Sequence, residues 1–306
     1  MELEITMNSF NEPFVSIIIP IYNARNVIED CLNSVFDIDY KNFEVIIVDD
    51  CSRDKSADFI QKNYPQVKML RTKRNYGFVG SVNIGIKNSC GNIVVLLNMD
   101  TIVDKGWLKP LVNALITDKS IGLVGSKILS YNRKTLQHAG GLLLENGLSI
   151  HIGRGELDNE KYNYLRDVDY LCGASLGFRR ATLEEVGFFD EEYRPLYYED
   201  TDMAYRVKKH RLRVVYIPDS VLVHKENVST DGLSKRFYYC YHKSRLRFVF
   251  KNHSLQDIIN HFFPKEKSWF LSELPANIRT TLLKVYLVSL PNIVAMLIKR
   301  VIRVRN

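Results

Sequence analysis

Four residues in the N-terminal third of the chain stand at or just behind the ends of apolar runs and could bind a nucleotide or a metal ion: Tyr22, Asp50, Asn98 and Asp100. The ring of Tyr22 could stack on a nucleobase, and Asp50 could accept a hydrogen bond from the imide N–H of the base. Asp100 is a hard oxygen ligand of the kind that Mg²⁺ and Mn²⁺ prefer. A polar residue at the end of a single strand is also typical of a helix cap. Polar residues at the ends of three predicted strands favour a shared nucleotide site.

A second group of candidates lies in the segment 197–202, YYEDTD. Asp200 could act as a general base that removes the proton of an acceptor hydroxyl. Acidic residues also suit the first turn of a helix, so the segment alone leaves both interpretations open. His224 follows another apolar run and could complete a metal site with Asp100, although a single histidine is more often structural.

The basic turn 71–78, RTKRNYGF, includes Asn75 and leads into a glycine-containing helix. Backbone amides at a helix start, with cations nearby, suit a phosphate or a ribose. Solvated charges in an ordinary connection would give the same pattern, so this segment is weak evidence by itself.

The elements that must position these residues are predicted from runs of β-branched residues that alternate with segments of helical spacing. Runs that are apolar on both faces are typical of strands covered by helices on each side. The sequence therefore predicts an α/β fold with a doubly wound, mostly parallel sheet. The predicted strands are residues 15–20, 44–50, 67–71, 92–100, 122–129, 170–179 and 214–223, and the predicted helices are 27–36, 56–63 and 199–209.

The chain also carries, in this order, the motifs VSIIIPIYNA, EVIIVDDCSRD, RNYGFVGSVNIGI, VVLLNMD, CGASLGFRR, VGFFDEEYRPLYYEDTDMAYRV and LVHKENVS. Over residues 15–251 it resembles the family 2 inverting glycosyltransferases with the GT-A fold, a Rossmann-like doubly wound sheet. A rhamnosyltransferase-like subgroup is the most similar. The resemblance implies transfer of a sugar from a nucleoside diphosphate donor with inversion at the anomeric carbon, assisted by one Mg²⁺ or Mn²⁺ ion.

The resemblance also implies a role for each matching position. Asp200 matches the catalytic base, Asp100 the metal-binding aspartate, and His224 a histidine proposed to contact the metal or the phosphates. The positions matching the donor-binding residues are Pro20, Tyr22, Asp50, Asn75 and Asn98. Asn98 departs from the family pattern, because an amide stands where the Asp-x-Asp motif has its first carboxylate.

The implied donors are dTDP-rhamnose or a UDP-hexose, and the implied acceptor is a hydroxyl of a glycan or a lipid-linked glycan in cell-surface polysaccharide synthesis. Two alternatives remain open: a catalytically silent nucleotide-sugar-binding or scaffold protein on the same fold, and a nucleotidyltransferase. The second alternative lacks the expected glycine-rich activation loop, since residues 20–24 read PIYNA.

The charge distribution predicts a division into a catalytic domain, residues 1–235, and a basic helical extension, residues 236–306. From residue 234 onward the chain has 14 basic and 3 acidic residues, whereas the rest has 28 basic and 32 acidic. Residues 282–298 are apolar enough for a helix lying on an anionic membrane surface, or for one packed on the domain with a solvated basic end. No recognition motif supports nucleic acid binding.

Five widely separated cysteines without a CxxC pair favour a reducing compartment. The first 13 residues lack the apolar segment of a signal peptide. The expected location is the cytoplasm, with peripheral attachment to the cytoplasmic face of a membrane as an option. The loops 140–155 and 227–234 are candidate acceptor lids.

Overall fold

A computed structural model describes residues 12–225 and 234–305, with side chains as far as residue 298. The strands are β1 (Val15–Ile21), β2 (Phe43–Asp49), β3 (Lys68–Arg71), β4 (Ile93–Leu97), β5 (Thr101–Val103), β6 (Ile121–Leu129), β7 (Leu136–His138), β8 (Gly141–Leu143), β9 (Ser149–His151), β10 (Arg166–Asp167), β11 (Ser175–Arg179) and β12 (Arg213–His224). The helices are α1 (Ile28–Phe36), α2 (Ser56–Asn63), α3 (Gly77–Lys87), α4 (Leu108–Thr117), α5 (Arg180–Val186), α6 (Glu199–Lys209), α7 (Lys235–Asn252), α8 (Leu255–Asp257), α9 (Phe263–Ser272) and α10 (Ala276–Arg305).

The central sheet has the strand order β10-β12-β6-β11-β4-β1-β2-β3. Strands β3, β2, β1 and β4 are parallel to one another, which confirms the predicted doubly wound arrangement. Strand β11 runs antiparallel between β4 and β6, and β12 is parallel to β6. The chain order reverses between β1 and β4, the kind of position where open α/β sheets bind their ligands.

Helices cover both faces of the sheet, which explains why its central strands are apolar at most positions. In β1, Ile17 and Ile19 pack into the cluster formed with α1 and α4, whereas Ile18 packs into the cluster formed with α3 and α6. All three side chains have no exposed surface. Successive side chains of a strand point to opposite faces, so a doubly covered strand is apolar on both faces and its few polar side chains, such as Ser16, are hydrogen-bonded.

Two strand ends differ from the prediction. Strand β1 continues through Pro20 to Ile21 instead of ending at the proline. Its pairing with β4 stops at Ile18, so a residue without an N–H is tolerated at position 20. Strand β4 ends at Leu97, because the hydroxyl of Thr101 donates to the carbonyl of Asn98 and closes a turn.

The predicted strand 170–179 is shorter in the structure, where β11 comprises only its second half. Tyr170 instead forms an isolated antiparallel bridge with Gly141. Gly141 opens the hairpin β8–β9, so the glycine-rich loop 140–155 contains ordered β structure. The second candidate lid, residues 227–234, lies outside the described residues except for Ser234, whose hydroxyl caps α7 at the Phe237 amide.

The C-terminal helices pack on the hairpin through a buried ion pair. Arg245 of α7 donates two hydrogen bonds to Glu266 of α9, at 2.7 and 2.5 Å. Asn146 of the hairpin donates to Glu266 and accepts from Arg245 through its carbonyl, and Tyr286 of α10 donates to Glu266. Gly147 adopts a φ of +73°, and a Cβ there would lie 2.5 Å from Val249, so α7 approaches the hairpin closely.

Glu266→Ala should lower the free energy of unfolding by about 3–5 kcal/mol, because it leaves the Arg245 guanidinium buried without a counter-charge. Urea unfolding followed by fluorescence would measure the loss. The matched control is Glu192→Ala, which removes a carboxylate that is 71% exposed and 3.4 Å from Arg247. The control should cost less than about 1 kcal/mol. Equal effects of the two substitutions would contradict a stabilising role for the buried pair.

Candidate active site

The carboxyl ends of β1, β2 and β4 lie at one edge of the sheet, because the three strands are parallel neighbours. Tyr22 directly follows β1 and is 47% exposed at this edge. Pro20 is buried within the strand beside Val48. Asn98 and Asp100 lie in the turn after β4, so the structure places the sequence-predicted strand ends together.

Asp50 holds the loop that leads into α3. Its Oδ1 accepts hydrogen bonds from the Tyr76 amide at 2.8 Å and the Thr72 hydroxyl at 3.1 Å, and its Oδ2 accepts from the Gly77 amide at 2.7 Å. Asn75 lies in the same loop and accepts a hydrogen bond from Gly77. The carboxylate is buried and therefore fixes the loop at the site edge.

Asp100 and His224 meet because β5 pairs with the end of β12, opposing Thr101 to His224. The His224 Nε2 atom lies 3.2 Å from Asp100 Oδ1. Both side chains are largely buried, at 13% and 7% exposed. The structure therefore brings together the two residues that the sequence analysis assigns to a metal.

Gln137 fixes the orientation of the His224 ring, and sequence reasoning did not find it. Its amide nitrogen donates to the carbonyl of His224 at 2.7 Å, which turns its oxygen toward His224 Nδ1 at 3.0 Å. A neutral His224 then carries its proton on Nδ1 and presents the Nε2 lone pair to the Asp100 carboxylate. Such second contacts typically orient metal-ligating histidines.

This donor set fits a divalent cation. Two acceptor atoms that face each other at 3.2 Å need a proton or a cation between them, and adjacent ligands of an octahedral ion are about 3 Å apart. Carboxylate oxygen suits Mg²⁺ and Mn²⁺, and imidazole nitrogen is a common ligand of transition metals. Within residues 12–225 and 234–305, no third His, Cys, Asp or Glu joins the pair. Further ligands would have to come from substrate or water.

Asp200 reaches the same edge from helix α6. Its Oδ2 accepts a hydrogen bond from the Gly173 amide at 3.0 Å, and its Oδ1 accepts one from the Thr201 amide at 2.6 Å. The residue after Gly173, Ala174, accepts a hydrogen bond at 3.0 Å from the backbone amide of Asn98. A short chain of backbone contacts thus connects Asp200 to the turn that carries Asp100.

Glu199 differs from its neighbour Asp200 in its hydrogen bonding. Glu199 is 8% exposed, and its Oε2 has no hydrogen-bond partner among the described residues. Burial, with a smaller contribution from the charge of Asp200, raises the pKa of Glu199 to about 8. Burial raises the pKa of Asp200 also, against the amide donors of Gly173 and Thr201 that favour its charged form. The environment therefore places the proton of the pair on Glu199 and the charge on Asp200.

Two tyrosines in left-handed backbone conformation precede this carboxylate pair. Tyr197 has a φ of +78° and Tyr198 a φ of +69°. The Tyr198 hydroxyl donates to the Gly147 carbonyl at 2.6 Å and is hydrogen-bonded to the Tyr241 hydroxyl of α7 at 3.0 Å. Such conformations cost energy and persist where surrounding contacts enforce them, so α7 and the hairpin hold the turn that presents Asp200.

A second contact ties α6 to the other end of α7. The Asp202 carboxylate, with no exposed side-chain surface, lies 2.7 Å from the Lys251 ammonium and 2.8 Å from Arg206. Burial alone would raise the pKa of Asp202, but these cations and the side-chain amide of Asn252 outweigh it, so the pKa is lowered. Within the acidic segment 199–202, Asp202 therefore has a structural role.

The family is decided by a match over more than half of the chain. Residues 16–187 match the sequence profile of Glycosyl transferase family 2. The chain belongs to this family. Its sheet, its helical C-terminal segment and the structural similarities below identify the family 2 chain as a GT-A fold, as the sequence motifs predict.

Two curated relatives align with much of this family 2 chain. An uncharacterized protein of Sinorhizobium fredii, y4gI, is 29% identical over 231 residues, which are 71% of this chain and 25% of the relative. The O-antigen biosynthesis protein RfbC of Myxococcus xanthus is 26% identical over 74% of this chain and 18% of its own length. A shorter match, 37% identical over 92 residues, involves the putative teichuronic acid biosynthesis glycosyltransferase TuaG of Bacillus subtilis, with 29% of this chain and 36% of TuaG aligned. The chain thus spans about a third or less of the length of each of these relatives.

Solved structures share the fold at low sequence identity. GalNAc-T7 with UDP, GalNAc and Mn²⁺ has a TM-score of 0.67 and 16% identity, with 90% of this chain and 55% of that one covered. S. aureus TarS 1–349 with UDP-GlcNAc has a TM-score of 0.60 and 19% identity, with coverages of 89% and 79%. A mannosyltransferase from Pyrobaculum calidifontis with GDP-Man and Mn²⁺ has a TM-score of 0.58 and 17% identity, covering 97% of this chain and 82% of its own.

Glu199→Gln should remove one contribution to the pH dependence of the stability of this chain. A carboxyl whose pKa is raised on folding binds more protons in the folded than in the unfolded state, so the contribution of Glu199 to the wild-type free energy of unfolding falls as the pH rises from about 4.5 to about 8. The variant lacks that contribution. Its free energy of unfolding, taken relative to that of the wild type at the same pH, should therefore be higher near pH 8 than near pH 5. Urea unfolding across this range, with Glu192→Gln as an exposed control, measures the effect. Parallel curves for all three proteins would show that Glu199 is ionised in the folded state.

Proposed function

We propose that this chain is an inverting glycosyltransferase that moves a sugar from a nucleoside-diphosphate-sugar, dTDP-rhamnose or a UDP-hexose, to a hydroxyl of a glycan or a lipid-linked acceptor in cell-surface polysaccharide synthesis. The observation that carries the proposal is the single edge where Asp200 and the Asp100–His224 pair are joined through Ala174 and Asn98. The printed descriptions of RfbC and TuaG support the polysaccharide class. The transfer reaction would take place at the cytoplasmic face of a membrane.

Donor binding would use the edge formed by β1, β2 and β4. The exposed ring of Tyr22, beside Pro20, offers a stacking surface for a pyrimidine, and Asp50 and Asn75 order the neighbouring loop. Asn98 would contribute its half-buried side chain near the diphosphate. The nucleotide complexes of TarS and GalNAc-T7 support a nucleoside diphosphate as the donor class.

Asp100 and His224 would hold the divalent ion, Mg²⁺ or Mn²⁺, with Gln137 as a positioning residue. When bound, such an ion supplies positive charge that stabilises the diphosphate as it leaves. The Mn²⁺ in two of the similar structures supports a metal of this class.

Asp200 would act as the general base. The acceptor oxygen forms a bond to the anomeric carbon on the face opposite the diphosphate, the bond from that carbon to the diphosphate oxygen breaks, and the hydroxyl proton passes to Asp200. A base whose pKa is raised by burial is matched to this task near neutral pH. Protonated Glu199 keeps a second negative charge away from the site. Holding the two substrates in this geometry supplies much of the remaining rate.

The test of the activity is a screen of donor binding and hydrolysis with dTDP-rhamnose and with UDP-, GDP- and CMP-sugars, each with and without Mn²⁺ or Mg²⁺. We expect metal-dependent turnover of one pyrimidine nucleotide-sugar. Binding without turnover of any donor, even with glycan acceptors present, would favour the silent nucleotide-sugar-binding protein instead.

Asp200→Asn should abolish turnover while leaving the donor affinity unchanged. The amide keeps the shape of the side chain but cannot accept the proton, so kcat should fall by about 10²–10⁴. Calorimetry and a product assay separate the two quantities. Glu192→Gln is the control, because that exposed carboxylate lies in the connection before α6 and its loss should leave both quantities unchanged. If Asp200→Asn kept more than a few per cent of the activity, another residue would be the base.

Asp100→Ala should remove the metal-dependent part of donor binding, and Gln137→Leu should weaken Mn²⁺ binding by about 10–100-fold by releasing the His224 ring. Paramagnetic resonance of Mn²⁺ titrated into the protein with UDP measures the affinity directly. The control is Gln61→Leu, an exposed glutamine on α2, which should bind Mn²⁺ as the wild type does. Unchanged affinity in Asp100→Ala would overturn the metal site, whereas unchanged affinity in Gln137→Leu alone would overturn only the positioning role.

A further inference from the structure

Helix α10 is apolar on two opposite faces. One face is buried against α7 and neighbouring helices and includes Ile278, Leu282, Val285 and Ile293, none more than 9% exposed. The sequence analysis left two interpretations of this segment, a packed helix and a membrane-surface helix. The packed-helix interpretation is correct for this face.

The second face forms a stripe of five aliphatic residues, each half exposed or more. We call it the α10 stripe: Leu283, Leu287, Leu290, Val294 and Ile298. Four of the five members follow a residue of the buried row by five positions, which is about 140° around an α-helix, and Val294 follows the buried Ser289 by the same spacing. A continuous row of exposed aliphatic side chains, with nothing covering it among the described residues, is unusual for a soluble surface and marks an interaction site.

The charge of the surroundings indicates what the stripe contacts. Helix α10 contains six basic and no acidic residues, and four of the basic ones follow the stripe at the C-terminal end: Lys299, Arg300, Arg303 and Arg305. The two nearest carboxylates in sequence lie within ion-pair distance of other cations, Glu266 of Arg245 and Glu273 of Lys265. An apolar row that leads into a basic helix end fits a surface that offers both acyl chains and negative headgroups.

We propose that α10 lies in the plane of an anionic membrane, with the α10 stripe inserted below the headgroups. The inference rests on the proposed function in one respect: contact with the membrane would bring the site to a lipid-linked acceptor. Because α10 packs on α7, and Tyr241 of α7 holds Tyr198 beside the carboxylate pair, a docked α10 also fixes the direction in which the acceptor side of the site faces.

Crossing the membrane is the competing arrangement, since an 18-residue window within Ala276–Ile298 has a mean hydropathy of 1.8 and the segment is long enough to span. A spanning α10 would have to leave α7, because Leu282 and Val285, with no exposed surface, pack there. It would also withdraw the Tyr286 hydroxyl from Glu266 and place Lys284 within the hydrocarbon. Binding in the plane uses the exposed stripe and keeps every one of these contacts.

The test is sedimentation of the full chain with vesicles of phosphatidylcholine alone or with roughly 30% phosphatidylglycerol. We expect binding to the anionic vesicles only, and release by about 1 M NaCl. Leu287→Ser, which changes the most exposed residue of the stripe, should weaken binding at least about tenfold. Leu157→Ser is the matched control, because Leu157 is a similarly exposed leucine, at 64%, outside the C-terminal helices. It should bind as the wild type does.

Three outcomes would overturn the proposal. The first is no binding of the wild type to anionic vesicles. The second is binding to neutral vesicles that resists salt, which would indicate a spanning helix. The third is a wild-type dimer that Leu287→Ser converts to a monomer without any vesicle binding, which would assign the stripe to a second copy of the chain. Donor hydrolysis measured in solution for the same variants is independent of these readouts, so a failed transferase and a failed membrane contact are distinguishable.

Discussion

One reversal of strand direction determines how the site is assembled. Strand β11 enters the sheet antiparallel, between β4 and β6, so its amino end lies beside the carboxyl ends of the parallel strands. The residues just before β11 then meet the turn after β4, where the Asn98 amide donates to Ala174. Without this reversal the segment 172–174 would lie at the opposite edge, and the amide of Gly173 could not hold Asp200 near Asp100.

The same geometry explains why residues far apart in the chain take part in one site. Backbone pairing sets the position of His224 opposite Thr101, and Gln137 sets the orientation of its ring. Asp200 is supported from two sides, by the Gly173 amide and by the strained turn at Tyr198. The chemistry therefore depends on local side chains, but their placement depends on contacts between distant elements.

The sequence predicted the sheet, both helical layers and the residues at the strand ends, because these follow from local patterns. A doubly covered strand such as β1 is apolar on both faces, and Asp50 and Asp100 stand out where such runs stop. Gln137 and Gly173 carried no such signal, since a glutamine in a three-residue strand and a glycine just before a strand gain their roles only through partners 87 and 27 positions away. The end of β1 was predicted wrongly, because the effect of Pro20 depends on where the pairing of the neighbouring strand stops.

The contact between α7 and α6 bears on how chains of this fold can diversify. Helix α7 contacts the turn before Asp200 through Tyr241 and reaches Asp202 through Lys251 near its end. Charge and composition suggest a boundary near residue 235, yet these contacts with the turn and with α6 come from beyond it. Exchange of C-terminal segments between relatives at that boundary would preserve the sheet edge formed by β1, β2 and β4 and replace the helix that supports Asp200. An exchange that aims to change the acceptor, by natural recombination or by protein engineering, therefore has to transfer the turn 197–202 together with α7.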